Sequence, residues 1–397
     1  MGELIAARRA DTLPAVSSPA PVAAEAEELA RWLGLLLTPE LGMRGIHHLL
    51  GGIGAPAAIA AASLTSLEAC GITTAAAQFL HSGRAWEAGY RELERARAAG
   101  AELVTLHDPR YPLRLREIFD PPPLLYLRGS VEALDRYSVA VVGTRHPTIY
   151  GKTMAERIGR DLWAWGLVVV SGLARGIDAM AQKACVEAGG VSIAVLGTGV
   201  DVIYPKEHEK LAQQLLAGGG AIVSEFPLGT YPAPQNFPIR NRVISGLSLG
   251  VVVVEGGEYS GSRITARMAL EQDREVFGVP GLATNRQAWV PNTLIKQGAK
   301  LVTEASDVVE QMPFEVRQRL APPPATAARP AASKEGTSPL ESAAWACLRV
   351  GEAVQIDELA ESLRDKASLP ELLALLLDWE LAGRIRQLPG KSYTRVE

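Results

Sequence analysis

The hydrophobic positions in the middle of the chain form short, β-branched runs that each end in glycine or serine. From about Ser138 these runs are "YSVAVVGTR", "LVVVSGLARG", "VSIAVLGTGV", "GAIVSEFPLG" and "LGVVVVEGG". Stretches of helical length, such as "TMAERIGRDLWAWG", lie between several of them. Apolar strands that alternate with helices predict a parallel sheet covered on both faces. Ligands of such sheets bind beyond the carboxyl ends of the strands, which is where these glycines fall.

The segments before this sheet have a different pattern. Residues 1–24 are rich in Ala, Pro and Ser and are predicted to be a disordered lead. Residues 25–104 show a helical pattern with short glycine-containing breaks, so we expect a helical domain there. Its turn "TPELGMRG" lies between two apolar helices. This turn fits either a plain helix–helix connection or a helix-hairpin-helix, whose amides hold a phosphate.

The segments after the sheet begin with a linker. Residues 313–339 contain several prolines and few large apolar residues, which is typical of a linker. Residues 340–397 predict three helices and a hairpin turned at "LPGKSY", with Asp357 as the cap of the second helix. This outline is that of a winged helix. Its third helix, from about Leu369 to Leu381, is acidic and apolar and has no Lys or Arg. A reader of the major groove normally needs such cations, so a protein partner is favoured over DNA, which stays the alternative.

Composition sets only broad limits on the number of domains, the partners and the cellular setting. A chain of 397 residues is too long for one ordinary core, so two or three domains are expected. The net charge of -4 does not point to a nucleic-acid partner, although a local basic groove fits within a balanced total. The three cysteines are far apart and odd in number, which favours a reducing, cytoplasmic setting over a disulfide framework. No apolar run reaches the roughly 18 residues of a membrane helix, and no secretory signal is expected.

Four loops at the predicted strand ends carry the candidate chemistry. Each combines glycines or hydroxyls with the start of a helix, where free amides and the helix dipole hold an anion. The residues of this kind are Gly143, Thr144, Ser171, Gly172, Gly176, Ser260, Gly261, Ser262 and Thr265. The cations at or near these loops are Arg145, Arg175, Lys206, Arg240 and Arg242. None of the loops is a Walker loop or a GxGxxG motif.

Each loop also has an ordinary structural explanation. Glycine after a strand is normal turn chemistry, Lys206 alone is typical of a solvated surface, and Asp178, Glu225 and Glu255 fit helix caps or ion pairs. The convergence of several such loops on one sheet edge is what predicts a cationic binding face. The pattern contains no metal cluster and no Ser-His-Asp elbow, so we expect no metal, no cofactor and no catalytic residue.

Several motifs together resemble the DNA-processing protein A family, DprA, also called Smf. They are "VVGTRHPTIYG", "SGLARGID", "LGTGVDVIYP", "SEFPLGTYPAPQNFPIRNRVISGLS", "VEGGEYSGSRITARMALE" and "REVFGVPG". The resemblance is collinear from about Leu106 to Asp307. It implies an extended Rossmann domain over residues 105–312, flanked by an N-terminal helical, SAM-like domain and a C-terminal winged-helix-like domain.

The resemblance also implies a function. Members of this family bind single-stranded DNA, dimerise, and load the RecA recombinase during natural transformation and recombination, with single-strand-binding protein as a further partner. The loop residues and cations above would line the strand groove, with Arg240 and Arg242 binding phosphates from the surface. Asn236 and Asn241 would add hydrogen bonds there.

A homodimer is implied through "NTLIKQGAKLV", which holds Leu294, Ile295 and Leu301. The alternative is that these three side chains pack inside their own domain. The chain departs from the family at Gln182, where a histidine is usual, and at Thr144, where serine is commoner.

An enzymatic alternative comes from "EGGEYSG", followed by a helix that contains Glu271. This stretch is similar to a motif of the lysine-decarboxylase-like nucleotide phosphoribohydrolases, which hold a nucleotide phosphate on such glycines. Release of free base from a nucleoside monophosphate would distinguish this enzyme from the DNA-binding protein.

Overall fold

The computed structural model describes residues 21–321, 339–349, 351–381 and 384–395. The chain divides into two compact units, residues 1–93 and residues 94–397. Within the described ranges, no helix has both the length and the apolar character required to cross a bilayer.

The first unit is helical, as predicted. Its helices are α1 (Pro21–Leu36), α2 (Gly42–Gly52), α3 (Pro56–Ala60), α4 (Leu64–Ala69), α5 (Thr74–His81) and α6 (Arg84–Ala98), the last of which extends past the end of the unit. Leu35, Ile46 and Leu80 belong to its core. Helix α1 begins inside the segment predicted to be disordered, and residues 1–20 of that segment lie outside the described residues.

The second unit alternates strands and helices. Its elements up to residue 321 are β1 (Glu102–Thr105), α7 (Leu113–Arg116), β2 (Leu124–Gly129), β3 (Ser138–Val142), α8 (Ile149–Ala164), β4 (Val168–Ser171), α9 (Ile177–Glu187), β5 (Ser192–Val195), α10 (Glu209–Ala217), β6 (Ala221–Ser224), α11 (Asn236–Leu247), β7 (Gly250–Val253), α12 (Gly261–Glu271), β8 (Glu275–Gly278), α13 (Trp289–Lys296), β9 (Lys300–Leu301), α14 (Ala305–Glu310) and α15 (Phe314–Arg319).

These strands form one mostly parallel sheet. In the part of the chain that the structure describes, the strand order is β1-β2-β6-β5-β4-β3-β7-β8-β9. The pairs β1–β2 and β2–β6 are antiparallel, and the other six pairs are parallel. From β3 the chain adds β4, β5 and β6 on one side and then returns to add β7, β8 and β9 on the other. The boundary between β3 and β7 is therefore a topological switch point.

The sheet is buried on both faces, which explains why its strands lack a polar alternation. Val139, Val141 and Val169 pack with helix α8 residues such as Ile158 on one face. Ala140, Val142 and Val170 belong to the core on the other face, with α11 and α12 residues. The predicted parallel sheet, covered on both faces, is confirmed.

The C-terminal segment has the winged-helix outline that its sequence predicts. It contains α16 (Pro339–Cys347), β10 (Val354–Gln355), α17 (Ile356–Ser362), α18 (Leu369–Leu381), β11 (Ile385–Leu388) and β12 (Ser392–Arg395). Among its described residues, the strands pair in the order β10-β12-β11. The predicted cap at Asp357 is wrong, because Gln355 is the N-cap of α17 and Asp357 lies in the first turn. Helix α15 lies inside the segment predicted as a linker, whose residues 322–338 are outside the described ranges.

Helix α18 carries an exposed leucine stripe. Leu369, Leu373 and Leu377 are 50%, 42% and 55% exposed, and their spacing of four residues places them along one side of the helix. The acidic Glu371 and Asp378 are exposed on the same helix. This surface is therefore apolar and anionic, and the described part of α18 carries no Lys or Arg.

Candidate nucleic-acid interface

A cleft of about 790 Å³ opens at the carboxyl edge of the sheet, at the switch point between β3 and β7. One wall is the loop that follows β3, residues 143–146, and the opposite wall is the loop that follows β7, residues 257–262. Side chains of α11, including Phe237 and Asn241, also line it. Doubly wound sheets place their ligands at such a switch point.

Glu255 fixes the wall that follows β3. Its backbone oxygen accepts a hydrogen bond of 2.7 Å from the Thr144 amide. Its buried carboxylate accepts one from the Thr148 amide at 2.8 Å and one from the Thr148 hydroxyl at 2.6 Å. Thr148 is the N-cap of α8, so Glu255 holds a helix start in place. Of the roles that the sequence left open for Glu255, this geometry supports the structural one.

Two glycines let neighbouring loops approach closely. Gly176 has a φ of +79°, and a Cβ there would lie 2.3 Å from the carbonyl oxygen of Thr144. A Cβ at Gly143 would lie 2.5 Å from Ile177 Cγ1. Any larger residue would push the β3 and β4 loops apart, so these positions require glycine.

Two helix N-termini lie beside the cleft. Helix α9 begins after Gly176, and α12 begins after Ser260, whose hydroxyl accepts a hydrogen bond from the Ser262 amide at 3.4 Å. Free amides and the positive end of the dipole favour an anion at such helix starts. The cleft therefore suits a phosphate or another anion.

The structure brings most of the predicted residues to the cleft or to a smaller recess beside it. Those that line the cleft are Gly143, Thr144, Arg145, Arg240, Asn241, Ser260, Gly261, Ser262 and Thr265. Gly172 and Arg175 line the recess, together with Tyr204 and Phe237. The predicted residues outside both linings are Ser171, Gly176, Lys206, Asn236 and Arg242.

The accessible cations differ in their partners. Arg145, Lys206 and Arg286 are exposed. The Arg145 guanidinium lies 5.4 Å from the centroid of the Phe237 ring, which is a cation–π distance. Arg175 is also exposed but forms an ion pair with Glu207, so part of its charge is already balanced.

Arg240 is not a surface residue, and that part of the prediction is wrong. It is 5% exposed, and its Nη1 donates hydrogen bonds to the carbonyl oxygens of Gly172, at 2.8 Å, and Val195. Burial lowers the pKa of Arg240 to about 10, while the charge of Asp178 opposes this shift. Arg240 therefore stays protonated at neutral pH and ties the ends of β4 and β5 together beneath the cleft.

Asp178 lies beside this arginine. Its carboxylate accepts a hydrogen bond of 3.1 Å from the Gly172 amide. Burial raises the pKa of Asp178 above its ordinary value, although Arg240 acts in the opposite direction. Asp178 thus stabilises the β4 loop rather than facing solvent as a free acid.

Arg242 is also buried, which corrects the second half of the same prediction. Its Nη2 pairs with Glu225, and its Nε lies 3.2 Å from an oxygen of Asp120. Burial raises the pKa of Glu225 to about 7, although the charge of Arg242 lowers it. The guanidinium is engaged in a buried ion pair and does not reach the cleft.

Three further polar residues act inside the fold. The Asn236 side chain donates to the Gly197 carbonyl at 3.1 Å. The Ser171 hydroxyl is fully buried and donates to the Val141 carbonyl at 2.6 Å, so it is not free to meet a ligand. Gln182 is fully buried, accepts from the Leu173 amide at 3.1 Å and donates to the Ile193 carbonyl at 3.1 Å.

The predicted dimer residues are in different environments. Leu294 is 7% exposed and belongs to the core of its own domain, so it is not available to a partner. Ile295 is half-buried, and its Cγ1 would lie 2.9 Å from a Cβ at Gly278. Leu301 is 48% exposed on the edge strand β9. Of the three, Leu301 is the one that faces outward.

Other residues at the cleft were not found from the sequence. The far wall of the cleft lies opposite Arg145, and its lining residues include Tyr259, Arg286, Gln287 and Trp289. The last three come from a loop after β8 that returns to the β7 loop through hydrogen bonds to Gly256. Arg286 lies eight residues beyond Gly278, the last residue of β8, so a pattern confined to the residues that directly follow a strand does not include this segment.

Glu271, which suggested an enzyme, lies at the far end of α12 from the cleft. It pairs with Arg267 at 3.3 Å on the exposed side of the helix. Glu271 is the last of the eleven residues of α12, so ten rises of the helix place it about 15 Å from Gly261 in the glycine loop. This position does not suit a carboxylate that acts on a nucleotide held by the loop. Among the described residues, no group of three or more His, Cys, Asp or Glu side chains could hold a metal ion.

Comparison with known proteins gives consistent matches. Residues 102–313 match the family described as DNA recombination-mediator protein A, and residues 323–391 match the DprA winged helix domain. Protein Smf of Escherichia coli is 44% identical over 295 residues, which cover 74% of this chain and 77% of that protein. DNA processing protein DprA of Bacillus subtilis is 43% identical over 224 residues, which cover 56% of this chain and 75% of that protein.

A solved structure is also similar. The X-ray structure of DprA from Streptococcus pneumoniae superimposes with a TM-score of 0.60 and 31% identity, covering 72% of this chain and 98% of that one. The family match over residues 102–313 contains the sheet, its switch point and the loops of the cleft. The chain therefore belongs to the DNA recombination-mediator protein A family, DprA/Smf.

Proposed function

We propose that this chain binds single-stranded DNA in the cleft and directs it to a RecA-type recombinase, without turnover of its own. The observation that carries the proposal is the cleft at the β3–β7 switch point, in a member of a recombination-mediator family. Glycine-lined loops, two helix N-termini and exposed arginines converge there, and each favours a phosphate backbone.

Phosphates of the strand would contact Arg145 and Arg286, which line the cleft, together with amides of the loops after β3 and β7. Lys206 would contact a phosphate of the strand beyond the cleft, because it directly follows Pro205, a residue of the neighbouring recess. Asn241, which lines the cleft, would add a hydrogen bond to a base or to the backbone. Arg240 contributes a buried positive charge beneath the loops rather than a direct contact. Such a groove, with aromatic side chains beside cations, is typical of proteins that bind single strands with little sequence preference.

The direct test compares single-stranded and duplex oligonucleotides of equal length by fluorescence anisotropy. We expect the single strand to bind at least about tenfold more tightly, because a loop-lined cleft accommodates a flexible strand. The described part of α18 has no Lys or Arg to bind the duplex. Several unrelated sequences serve as controls and should bind alike. Equal affinity for the duplex would contradict the proposal.

Loading of RecA is the functional step that we propose beyond strand binding, as in natural transformation and recombination. The protein should help RecA to displace single-strand-binding protein, since a non-catalytic binder can hold the strand and offer a second surface to the recombinase. RecA-dependent strand exchange on coated DNA, with and without this protein, measures the effect. No stimulation by the full-length chain would contradict loading even if the strand is bound.

The same strand-exchange assay tests whether the C-terminal domain is needed for RecA loading. We expect stimulation to survive truncation near Pro322, which would assign the C-terminal domain a different, accessory role. Loss of stimulation in a truncated chain that still binds DNA would place the loading surface on the C-terminal domain.

We also propose a homodimer through the edge of the sheet at β9. Leu301→Glu should give a folded monomer, because an exposed leucine at an interface can accept a charge only when the partner is absent. Light scattering after gel filtration measures the mass. Leu270→Glu, at an exposed leucine on α12, is the matched control and should leave the oligomeric state unchanged. A stable Leu301→Glu dimer would place the interface elsewhere.

A further inference from the structure

The far wall of the cleft carries aromatic side chains that the proposed phosphate contacts do not use. Tyr259 and Trp289 both line it, and they are 94% and 36% exposed. Resting on the proposed function, we propose that this wall stacks bases of the bound strand, while the Arg145 wall binds its phosphates. Tyr259 and Trp289 would then be the stacking residues of the site.

The backbone of this wall is fixed before any ligand arrives. The Gly256 amide donates to the Gln287 carbonyl at 2.6 Å, and the Val290 amide donates to the Gly256 carbonyl at 2.8 Å. The Asn285 side chain accepts from the Gln287 amide at 2.9 Å. Trp289 is the first residue of α13, and its neighbours Gln287 and Val290 are both tied to Gly256 of the β7 loop. This fixed backbone limits the entropy lost when a base stacks on the Trp289 ring.

A cation orients the ring of Trp289. The Arg263 guanidinium lies 5.4 Å from its centroid, at a cation–π distance. Arg263 is exposed and comes from the first turn of α12, so it covers the ring from the helix side. Both the open part of the indole and a guanidinium plane are surfaces on which nucleic-acid bases stack.

The charges of the two walls also differ. Glu258 and Arg286 both line the far wall, so this wall carries charges of both signs and has no uniform positive charge to follow a phosphate backbone. The wall formed by the loop after β3 presents Arg145, whose guanidinium lies over the Phe237 ring. A DNA strand in the cleft would thus turn most of its backbone toward Arg145 and its bases toward Tyr259 and Trp289, while Arg286 would contact a phosphate at the far wall. Stacking of this kind accepts any base, since every base has an aromatic face.

The test uses the full-length protein with Tyr259 and Trp289 both replaced by alanine. We expect its affinity for a single-stranded oligonucleotide to fall about tenfold or more, as for the loss of stacked bases. The salt dependence of binding should not change, because neither side chain neutralises a phosphate. Tyr259→Phe with Trp289→Phe should bind nearly as the unchanged protein does. Tyr231→Ala, at an exposed tyrosine outside the cleft lining, is the matched control.

An oligonucleotide with abasic units in place of its bases separates stacking from other effects. Here the unchanged protein and the alanine variant should bind with equal affinity, since there is no base to stack. Equal affinity for the normal oligonucleotide, or an equal loss on the abasic one, would overturn the stacking proposal alone. Absence of binding by the unchanged protein would instead contradict the proposed function itself, and the inference with it.

Discussion

The free energy of unfolding of the Arg242→Ala variant is expected to fall by about 3–5 kcal/mol at pH 8, because Glu225 then loses its buried partner. At this pH the Glu225 carboxylate is ionised in the folded protein, and Arg242 is the cation that balances it. Urea unfolding followed by circular dichroism measures the loss. Arg145→Ala is the matched control at an exposed arginine, and it should change stability by less than about 0.5 kcal/mol.

The pH dependence of this loss has a defined sign. The pKa of Glu225 is about 7 in the folded protein, above its ordinary 4.5, so the folded state binds the proton more tightly. This carboxyl therefore contributes stability that is fully present below pH 4.5 and is lost as the pH rises through 7. Removing Arg242 raises this pKa further, so the deficit of the variant should be smaller at pH 5.5 than at pH 8.

Glu225→Gln supplies the control for the pH effect. It should remove the fall in stability between about pH 5 and pH 7 that comes from this carboxyl, while other groups keep their contributions. An Arg242→Ala variant as stable as the unchanged protein at pH 8 would show that the ion pair does not stabilise the fold. If the loss of unfolding free energy in Arg242→Ala does not change with pH, lost packing rather than lost charge causes it.

Replacement of Arg145, Lys206 and Arg286 together by alanine is expected to weaken single-strand binding about 100-fold near physiological salt. All three are exposed, so the fold should survive. Each phosphate contact contributes about 0.7 to the salt slope on single strands, so the slope should fall by about two units. Anisotropy titrations over a range of salt concentrations measure both quantities.

The control for this variant removes the same charge elsewhere. Lys183, Arg267 and Arg364 are exposed and each pairs with a glutamate of its own helix or turn. Their alanine variants should leave the affinity and the salt slope nearly unchanged. Equal losses in the two triple variants would mean that net charge, and not the cleft, governs binding.

The sheet and its ligand edge could be predicted from local patterns. Strands such as β3 (Ser138–Val142) are buried on both faces, so their unbroken β-branched runs can be recognised in the sequence. Because parallel strands present their carboxyl ends at one edge, the loops that follow them were expected to meet. Gly143, Thr144 and Ser260 do meet at the cleft for this reason.

The burial of Arg240 and Arg242 could not be predicted in this way. Arginine is seldom buried unless it is paired, and two arginines with one residue between them lie on nearly opposite sides of a helix. Both are buried because α11 is enclosed from Arg240 to its last residue, Leu247. Their partners are Val195 and Glu225, among others, and these come from distant strands. Such pairings depend on the tertiary fold and leave no signal in the sequence beside the arginines.

The fixed loops around the cleft determine where the cost of binding arises. Arg240 joins the ends of two strands, Glu255 clamps the start of α8, and Gly176 leaves the β3 and β4 loops in direct contact. A DNA strand bound as proposed would therefore meet loops that are already held in place. Most of the conformational entropy lost on association would then come from the nucleic acid. The stiffness of each nucleic-acid segment would therefore affect how tightly it binds.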